Sequence, residues 1–295
     1  MKTVELKGCG PALVTPFTAD GAVDYDAYVA LVDRQVAGGV DFLVALATTG
    51  ETPTLSAEEK VRLLDLTVAH AKGRPVLVGC GSNSVPATLA NIELLDSHGA
   101  DAWLVVVPFY NKPTQEGQYR YFKEIASHTD KPVVIYNVPG RTGANMTAQT
   151  CLRLARDVEN IVATKEASGK YEQIAEILAG APEGFRVLSG DDDMTLSIMK
   201  IGAKGVISVA SNAAPSQVSA MTSAALKGDF AGAESIEAGL KPLFKACFAE
   251  SNPIPVKAAL SLMGYCTPVM RLPLVEASAE TRDLMSGLIK DLGLC

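Results

Sequence analysis

Short apolar, β-prone runs alternate with amphipathic stretches along the chain, and that alternation restricts the fold more than any other feature. The runs cover residues 10–14, 42–46, 76–79, 102–107, 133–136, 161–165, 186–189 and 205–209, eight in all. Each is strand-sized and rich in aliphatic or β-branched residues. Between them, stretches such as 25–38, 57–70, 86–98 and 115–128 carry apolar residues at three- and four-residue spacing, as helices with one buried face do. Ser56-Ala57-Glu58-Glu59 reads as a capping box opening the second of these helices. Gly38-Gly39, Gly73 and Gly99 are expected to close helices with left-handed residues. Strand–helix repetition makes successive strands parallel, and eight units in 295 residues fit a closed (β/α)8 barrel. A doubly wound open sheet is the alternative, though it usually has fewer strands. The barrel is expected over residues 1–227. Residues 228–295 hold no strand candidate and read as a helical extension, broken by Asn252-Pro253-Ile254-Pro255, that covers a barrel face or builds an oligomer contact.

Charge and composition remove several functional classes. A net charge of −7 argues against a nucleic-acid groove, although a small anion can still enter a local basic pocket. The amino-terminal stretch has no apolar signal core, and the longest apolar run, 102–110, is strand-sized and interrupted by Pro108, so a soluble cytoplasmic protein is expected. Six scattered cysteines without a C-x-x-C pair argue against a metal cluster or a disulfide framework. Cys80 reads as a buried, inert thiol.

In a barrel of this kind, functional residues lie just after the strands, at the carboxyl face. Lys165 ends the sixth run there, at the rim of an apolar core. Desolvation disfavours an ammonium in such a place, and the neutral amine is a nucleophile for carbonyls. A lysine snorkelling to solvent is the plainer reading. Thr48-Thr49-Gly50-Glu51 follows the second run, and its hydroxyls and consecutive N–H groups suit a small carboxylate; an ordinary turn explains them equally. Tyr136 ends the fifth run, where its phenol can transfer protons or simply edge the core. Arg141, five residues on, has the fork geometry for a carboxylate. Asp191-Asp192-Asp193 reads as the N-cap of a helix beginning at Met194 rather than as a metal site. Gly79-Cys80-Gly81 is half of a phosphate loop, too little to carry that function. His70, His98 and His128 fall at predicted helix ends, where the dipole favours a cation, so no histidine-based chemistry is expected. Together the rim residues suit activation of a 2-oxo acid as an enamine.

The sequence resembles the dihydrodipicolinate synthases, within the superfamily that includes N-acetylneuraminate lyase. Besides Thr48-Thr49-Gly50-Glu51, the motifs that carry the resemblance are Pro108-Phe109-Tyr110-Asn111-Lys112-Pro113, Tyr136-Asn137-Val138-Pro139-Gly140-Arg141-Thr142-Gly143, Lys165-Glu166-Ala167-Ser168-Gly169, Leu188-Ser189-Gly190-Asp191-Asp192, Gly205-Val206-Ile207-Ser208-Val209 and Asn252-Pro253-Ile254-Pro255-Val256-Lys257. The resemblance implies condensation of pyruvate with aspartate-4-semialdehyde, with Lys165 forming the imine. It implies that Thr48 and Thr49 hold the pyruvate carboxylate and that Tyr136 is the acid/base. A proton relay would run through Thr48 and a Tyr110 donated by a neighbouring subunit. Arg141 would bind the semialdehyde carboxylate, with Gly190 and Ile207 lining the pocket. No metal or organic cofactor is implied, and the family is usually a tetramer built from tight dimers. Arg141 favours a synthase over a lyase acting on N-acetylneuraminate or another 2-oxo-3-deoxy sugar acid. Gly140, often serine in relatives, is a mild departure. Lysine-inhibited synthases carry histidines where Ala57 and Lys60 stand here, a glutamate at Ala87 and a tyrosine at Phe109; Asn83 is kept, and weak lysine feedback is expected.

Overall fold

A computed structural model of the chain describes residues 4–294. Among them run eight strands: β1 (Gly8–Pro11), β2 (Leu43–Ala45), β3 (Val76–Gly79), β4 (Ala102–Val106), β5 (Val133–Asn137), β6 (Ile161–Glu166), β7 (Arg186–Ser189) and β8 (Gly205–Ser208). The helices are α1 (Tyr25–Ala37), α2 (Ala57–His70), α3 (Val85–Leu95), α4 (Gln115–Ser127), α5 (Pro139–Thr142), α6 (Ala148–Asp157), α7 (Tyr171–Gly180), α8 (Thr195–Met199), α9 (Pro215–Leu226), α10 (Phe230–Ala246), α11 (Ile254–Leu262) and α12 (Ala279–Asp291).

From β2 to β8 each strand pairs in parallel with the next, and β8 pairs with β1. The ring shuts between β1 and β2 through the Ala12–Val44 bridge, with the Leu13 N–H donating to the Val44 carbonyl at 3.0 Å. This is the expected (β/α)8 barrel. Its strands are mainly apolar because both faces are buried, with polar residues such as Asn137, Lys165, Glu166 and Ser208 near their carboxyl ends. Inward positions such as Val44, Leu77, Leu104, Val134, Ala163, Leu188 and Ile207 fill the barrel, while outward ones such as Trp103 and Val105 pack beneath the helices. Val4 and Leu6 join the inner cluster.

Local chemistry sets the helix boundaries. The side chains of Asp24, Ser56, Ser84, Thr114 and Thr147 each accept a first-turn N–H, opening α1, α2, α3, α4 and α6; such caps are worth about 1 kcal/mol each. The Ser56–Glu59 capping box is complete in both directions. Gly39, Gly73 and Gly99 are left-handed, with φ of 82°, 80° and 84°, whereas Gly38, at φ −71°, remains right-handed. The third helix is α-helical only to Leu95 and tightens into a 3-10 turn over Asp96–His98.

Beyond the barrel, α10 packs on α9, and α12 lies against α10 and α11. No helix among the described residues is long and apolar enough to cross a membrane.

Candidate active site

The carboxyl ends of β5 and β6 lie in register, pairing Tyr136 with Lys165. Alternation along β6 turns Ala163 and Lys165 to the same, inner side of the barrel. Lys165 is only 4% exposed, and its Nζ lies 4.2 Å from the centroid of the Tyr136 ring. At that distance the electron-rich ring face packs directly against the amine end of the side chain. On the β7 side the chain approaches closely: the Gly190 N–H donates to the Glu166 carbonyl at 2.7 Å. A Cβ on Gly190 would stand 3.0 Å from Lys165 Cε and 2.6 Å from Ala167 Cβ, so glycine leaves the volume that the lysine stem fills. Ile207, wholly buried, belongs to the apolar cluster inside the barrel.

Above this layer a cavity of about 420 Å³ opens at the carboxyl face, with Thr48, Tyr136 and Arg141 in its lining. Lys165, Thr49, Gly190 and Ile207 lie outside that lining. Lys165 meets it through the Tyr136 ring, and Thr49 through its neighbour Thr48. Thr48 is exposed on the 3-10 turn Thr48–Gly50, whereas Thr49 is buried and accepts a hydrogen bond from Asn252 Nδ2 at 3.0 Å. Arg141, exposed on α5, donates from Nη2 to the Asn252 carbonyl at 3.3 Å.

The turn is clamped from the helical extension. The side chains of Glu51 and Lys257 are fully buried and form an ion pair. Glu51 has φ 52° and also accepts the Arg271 N–H at 3.2 Å. Lys257 Nζ donates to the Val269 carbonyl at 3.1 Å and faces the Phe17 ring at 4.2 Å. Burial lowers the Lys257 pKa, and Glu51 opposes that fall. The sequence reading treats 252–255 as a helix break and 252–257 as one of the motifs of the resemblance, but assigns Asn252 and Lys257 no role. One signal was present: Lys257 stands in the apolar run Ile254-Pro255-Val256-Lys257-Ala258-Ala259-Leu260, and a charge buried on all sides needs a buried partner.

Tyr110 stands apart from the other candidates. It is 88% exposed, does not line the cavity, and has φ 71°. A bulky residue with positive φ is strained and persists only where its surroundings impose it. Here the Tyr110 N–H reaches the Thr142 carbonyl at 3.3 Å, and Asn111 Nδ2 reaches the Asn83 carbonyl at 2.9 Å.

The acidic triplet departs from expectation. Asp191 makes no side-chain cap, and the turn Asp192–Met194 precedes α8 instead of a helix starting at Met194. Asp192 is buried and accepts from the Ser208 hydroxyl and from the Val209 and Ala210 N–H groups, both at 3.0 Å. It therefore satisfies the loop after β8 rather than its own helix. Asp191 is pushed up to about 6 by burial and by Asp193, while neighbouring Lys165 opposes the rise. Burial also pushes Glu166 up to about 7, against hydrogen bonds from Ser168, Asn137 and Gln173.

Other sequence candidates take structural places. His70 pairs with Asp33 at 3.0 Å and His98 with Asp65 at 2.8 Å, while His128 lies 2.8 Å from the Glu124 carbonyl; all three are at helix ends. Cys80 is buried, which raises its thiol pKa. Gly79 and Gly81 allow close packing: added Cβ atoms would come within 2.1 Å of the Leu46 carbonyl oxygen and 2.5 Å of the Val106 nitrogen. No group of three or more His, Cys, Asp or Glu residues among those described is placed to hold a metal ion.

A (β/α)8 barrel with a buried amine at the end of β6, beneath a mouth of hydroxyls and a guanidinium, defines the class of Schiff-base lyases. The model of the Dihydrodipicolinate synthetase family matches residues 5–292. A 4-hydroxy-tetrahydrodipicolinate synthase from Phocaeicola vulgatus is 50% identical over 293 residues, covering 99% of each chain. Among solved structures, a dihydrodipicolinate synthase from Thermotoga maritima is 43% identical with a TM-score of 0.96, covering 98% of this chain and 99% of that one. Another, from Acinetobacter baumannii in complex with pyruvate, is 37% identical with a TM-score of 0.96, covering 99% and 100%. The chain belongs to the dihydrodipicolinate synthetase family.

Proposed function

We propose that this chain condenses pyruvate with L-aspartate-4-semialdehyde to 4-hydroxy-tetrahydrodipicolinate, the first committed step of the diaminopimelate route to lysine. The observation that carries the reading is the placement of Lys165 Nζ, 4.2 Å from the Tyr136 ring centroid at the base of the barrel mouth, in a chain of this family. The neutral amine attacks the pyruvate keto carbon, and loss of water leaves an imine. The imine draws electrons from the adjacent methyl group, which gives up a proton and becomes an enamine. The enamine carbon then bonds to the aldehyde carbon. Attack by the semialdehyde's own amine on the imine carbon closes the ring and releases Lys165.

Thr48 and Thr49 hold the pyruvate carboxylate, and Arg141 that of the semialdehyde. The Tyr136 hydroxyl serves as acid and base, linked through Thr48 to Tyr110 from a second copy of the chain. The strained, solvent-directed Tyr110 supports that exchange and an oligomer, by family likeness a tetramer made of two dimers. Gly190 and Ile207 shape the pocket wall. The lysine imine is itself the electron sink, so the reaction calls for no metal or organic cofactor, and a cytoplasmic setting suits such a biosynthetic step.

Borohydride reduction in the presence of pyruvate, followed by peptide mass analysis, tests this reading. A reduced pyruvyl adduct on Lys165, absent from Lys165→Ala, is expected; an unmodified protein would overturn it. Consumption of pyruvate with the semialdehyde, set against pyruvate release from sugar acids, separates the synthase from a sugar-acid lyase.

A further inference from the structure

Asn252 lies 203 residues from Thr49 in sequence, yet its Nδ2 is 3.0 Å from Thr49 Oγ1. Both residues are buried, at 6% and 2% exposure. A threonine hydroxyl has one proton to donate and lone pairs to accept with. Because the Asn252 amide donates into Oγ1, the Thr49 proton is not used in this contact. Among the described residues Asn252 is the side-chain partner of Thr49 Oγ1, so that proton stays available to a ligand. The arrangement has a cost: Asn252 Oδ1 is buried without a hydrogen-bond partner. Rotating the amide would satisfy Oδ1 by consuming the Thr49 proton. Orphaned buried polar atoms are uncommon and call for an explanation such as function.

We infer that Asn252 is a positioning residue that turns the Thr49 hydroxyl proton into the mouth, where it donates to the carboxylate of the 2-oxo acid. The inference rests on the role proposed above for Thr49. Its rigidity comes from the same segment, because Lys257, one helical turn and a residue further on, is ion-paired to Glu51, two residues beyond Thr49. The Asn252 carbonyl, which accepts from Arg141, is untouched by side-chain replacement.

Steady-state kinetics on Asn252→Asp, Asn252→Ala, Thr49→Val and the two Thr49→Val double variants test the inference. The carboxylate of Asn252→Asp can only accept, so it takes the Thr49 proton. KM for pyruvate is expected to rise about 10-fold or more, the value of one hydrogen bond to a charged group. The KM for the semialdehyde and kcat are expected to stay within about threefold, because a carboxylate contact made equally in ground and transition states acts on KM. Asn252→Ala, which frees the hydroxyl rotor, is expected to give a smaller rise. In the Thr49→Val background neither replacement should raise KM further. An unchanged pyruvate KM in Asn252→Asp overturns the inference, and so does an equal rise in the Thr49→Val background, which would indicate simple charge repulsion. Should Asn252→Asp not fold, the Asn252→Ala and Thr49→Val pair completes the same cycle. Failure of the wild-type protein to trap pyruvate would instead overturn the functional reading, so the two failures are distinguishable.

Discussion

Replacing Gly190 by alanine puts one methyl group against the stem of Lys165. The new carbon would lie 2.6 Å from Ala167 Cβ, 3.0 Å from Lys165 Cε and 3.1 Å from the Glu166 carbonyl oxygen. Carbon pairs are most comfortable at about 3.5–4.0 Å, so the methyl is about 1 Å too close to Ala167 and about 0.5 Å too close to Lys165. Ala167 has no side-chain torsion with which to yield. That contact opens only by a shift of the backbone after β6, whereas the lysine stem can turn aside, and both movements displace the amine. Overpacking of this size costs about 1–3 kcal/mol, offset by about 0.4–1 kcal/mol from the stiffer unfolded chain. The melting temperature should therefore fall by only a few degrees. Chemistry should suffer more, since displacing a reacting group by about 1 Å can cost on the order of 100-fold. The assay pairs kcat/KM for the condensation with the rate of borohydride trapping at Lys165, and both are expected to fall together. Gly140→Ala is the control: no atom lies within 4 Å of a Cβ there, so stability should rise by about 0.4–1 kcal/mol and activity should be unchanged. A Gly190→Ala protein that traps pyruvate and turns over like wild type would refute the packing argument.

Lys257→Met leaves the Glu51 carboxylate buried without its cation and should cost about 3–5 kcal/mol in urea unfolding, with much of the loss recovered by adding Glu51→Gln; a loss below about 1 kcal/mol would contradict the clamp. For Asp191 the folded pKa of about 6 lies above the ordinary 3.8, so the native state binds more protons across that interval. Its contribution is fully present below 3.8 and is lost as pH rises through 6, so Asp191→Asn should gain stability relative to wild type between those values. Urea midpoints measured across the range check this, and a constant difference between the two proteins would rule it out. Lys60 and Phe109 line the mouth cavity, and an added cation there disfavours an incoming ammonium, so turnover should persist in low-millimolar lysine; strong inhibition would count against that reasoning.

How far the chain could be read depended on the range of the forces involved. The strands at 76–79 and 186–189 and the helix over Ala57–His70 begin and end where the sequence predicts, because turn glycines, caps and apolar periodicity act within a few residues. The first strand is displaced, running over Gly8–Pro11 instead of 10–14. Ala12 and Leu13 still bond to Ser208 and Val44, but through an isolated bridge at the barrel seam instead of a continuous strand, and Ala12, Leu13 and Val14 are all buried there. Asp192 shows a similar limit: an acid before a helix looks like its cap until the loop after β8 comes close enough to take both oxygens.

The sequence by itself determined the alternation of strand and helix, hence the parallel barrel, and put Lys165, Tyr136, Thr48 and Arg141 at strand ends or in the loops that follow. Register then made neighbours of Tyr136 and Lys165, a pairing that no local pattern encodes. Tertiary structure alone joined Asn252 to Thr49 and Lys257 to Glu51, contacts spanning 203 and 206 residues. It also held Tyr110 outward at a strained backbone angle, away from the mouth of its own chain. Periodicity is written in the spacing of side chains along one element, whereas a buried amide or ion pair finds its partner only after the barrel has closed and the extension has folded across its rim.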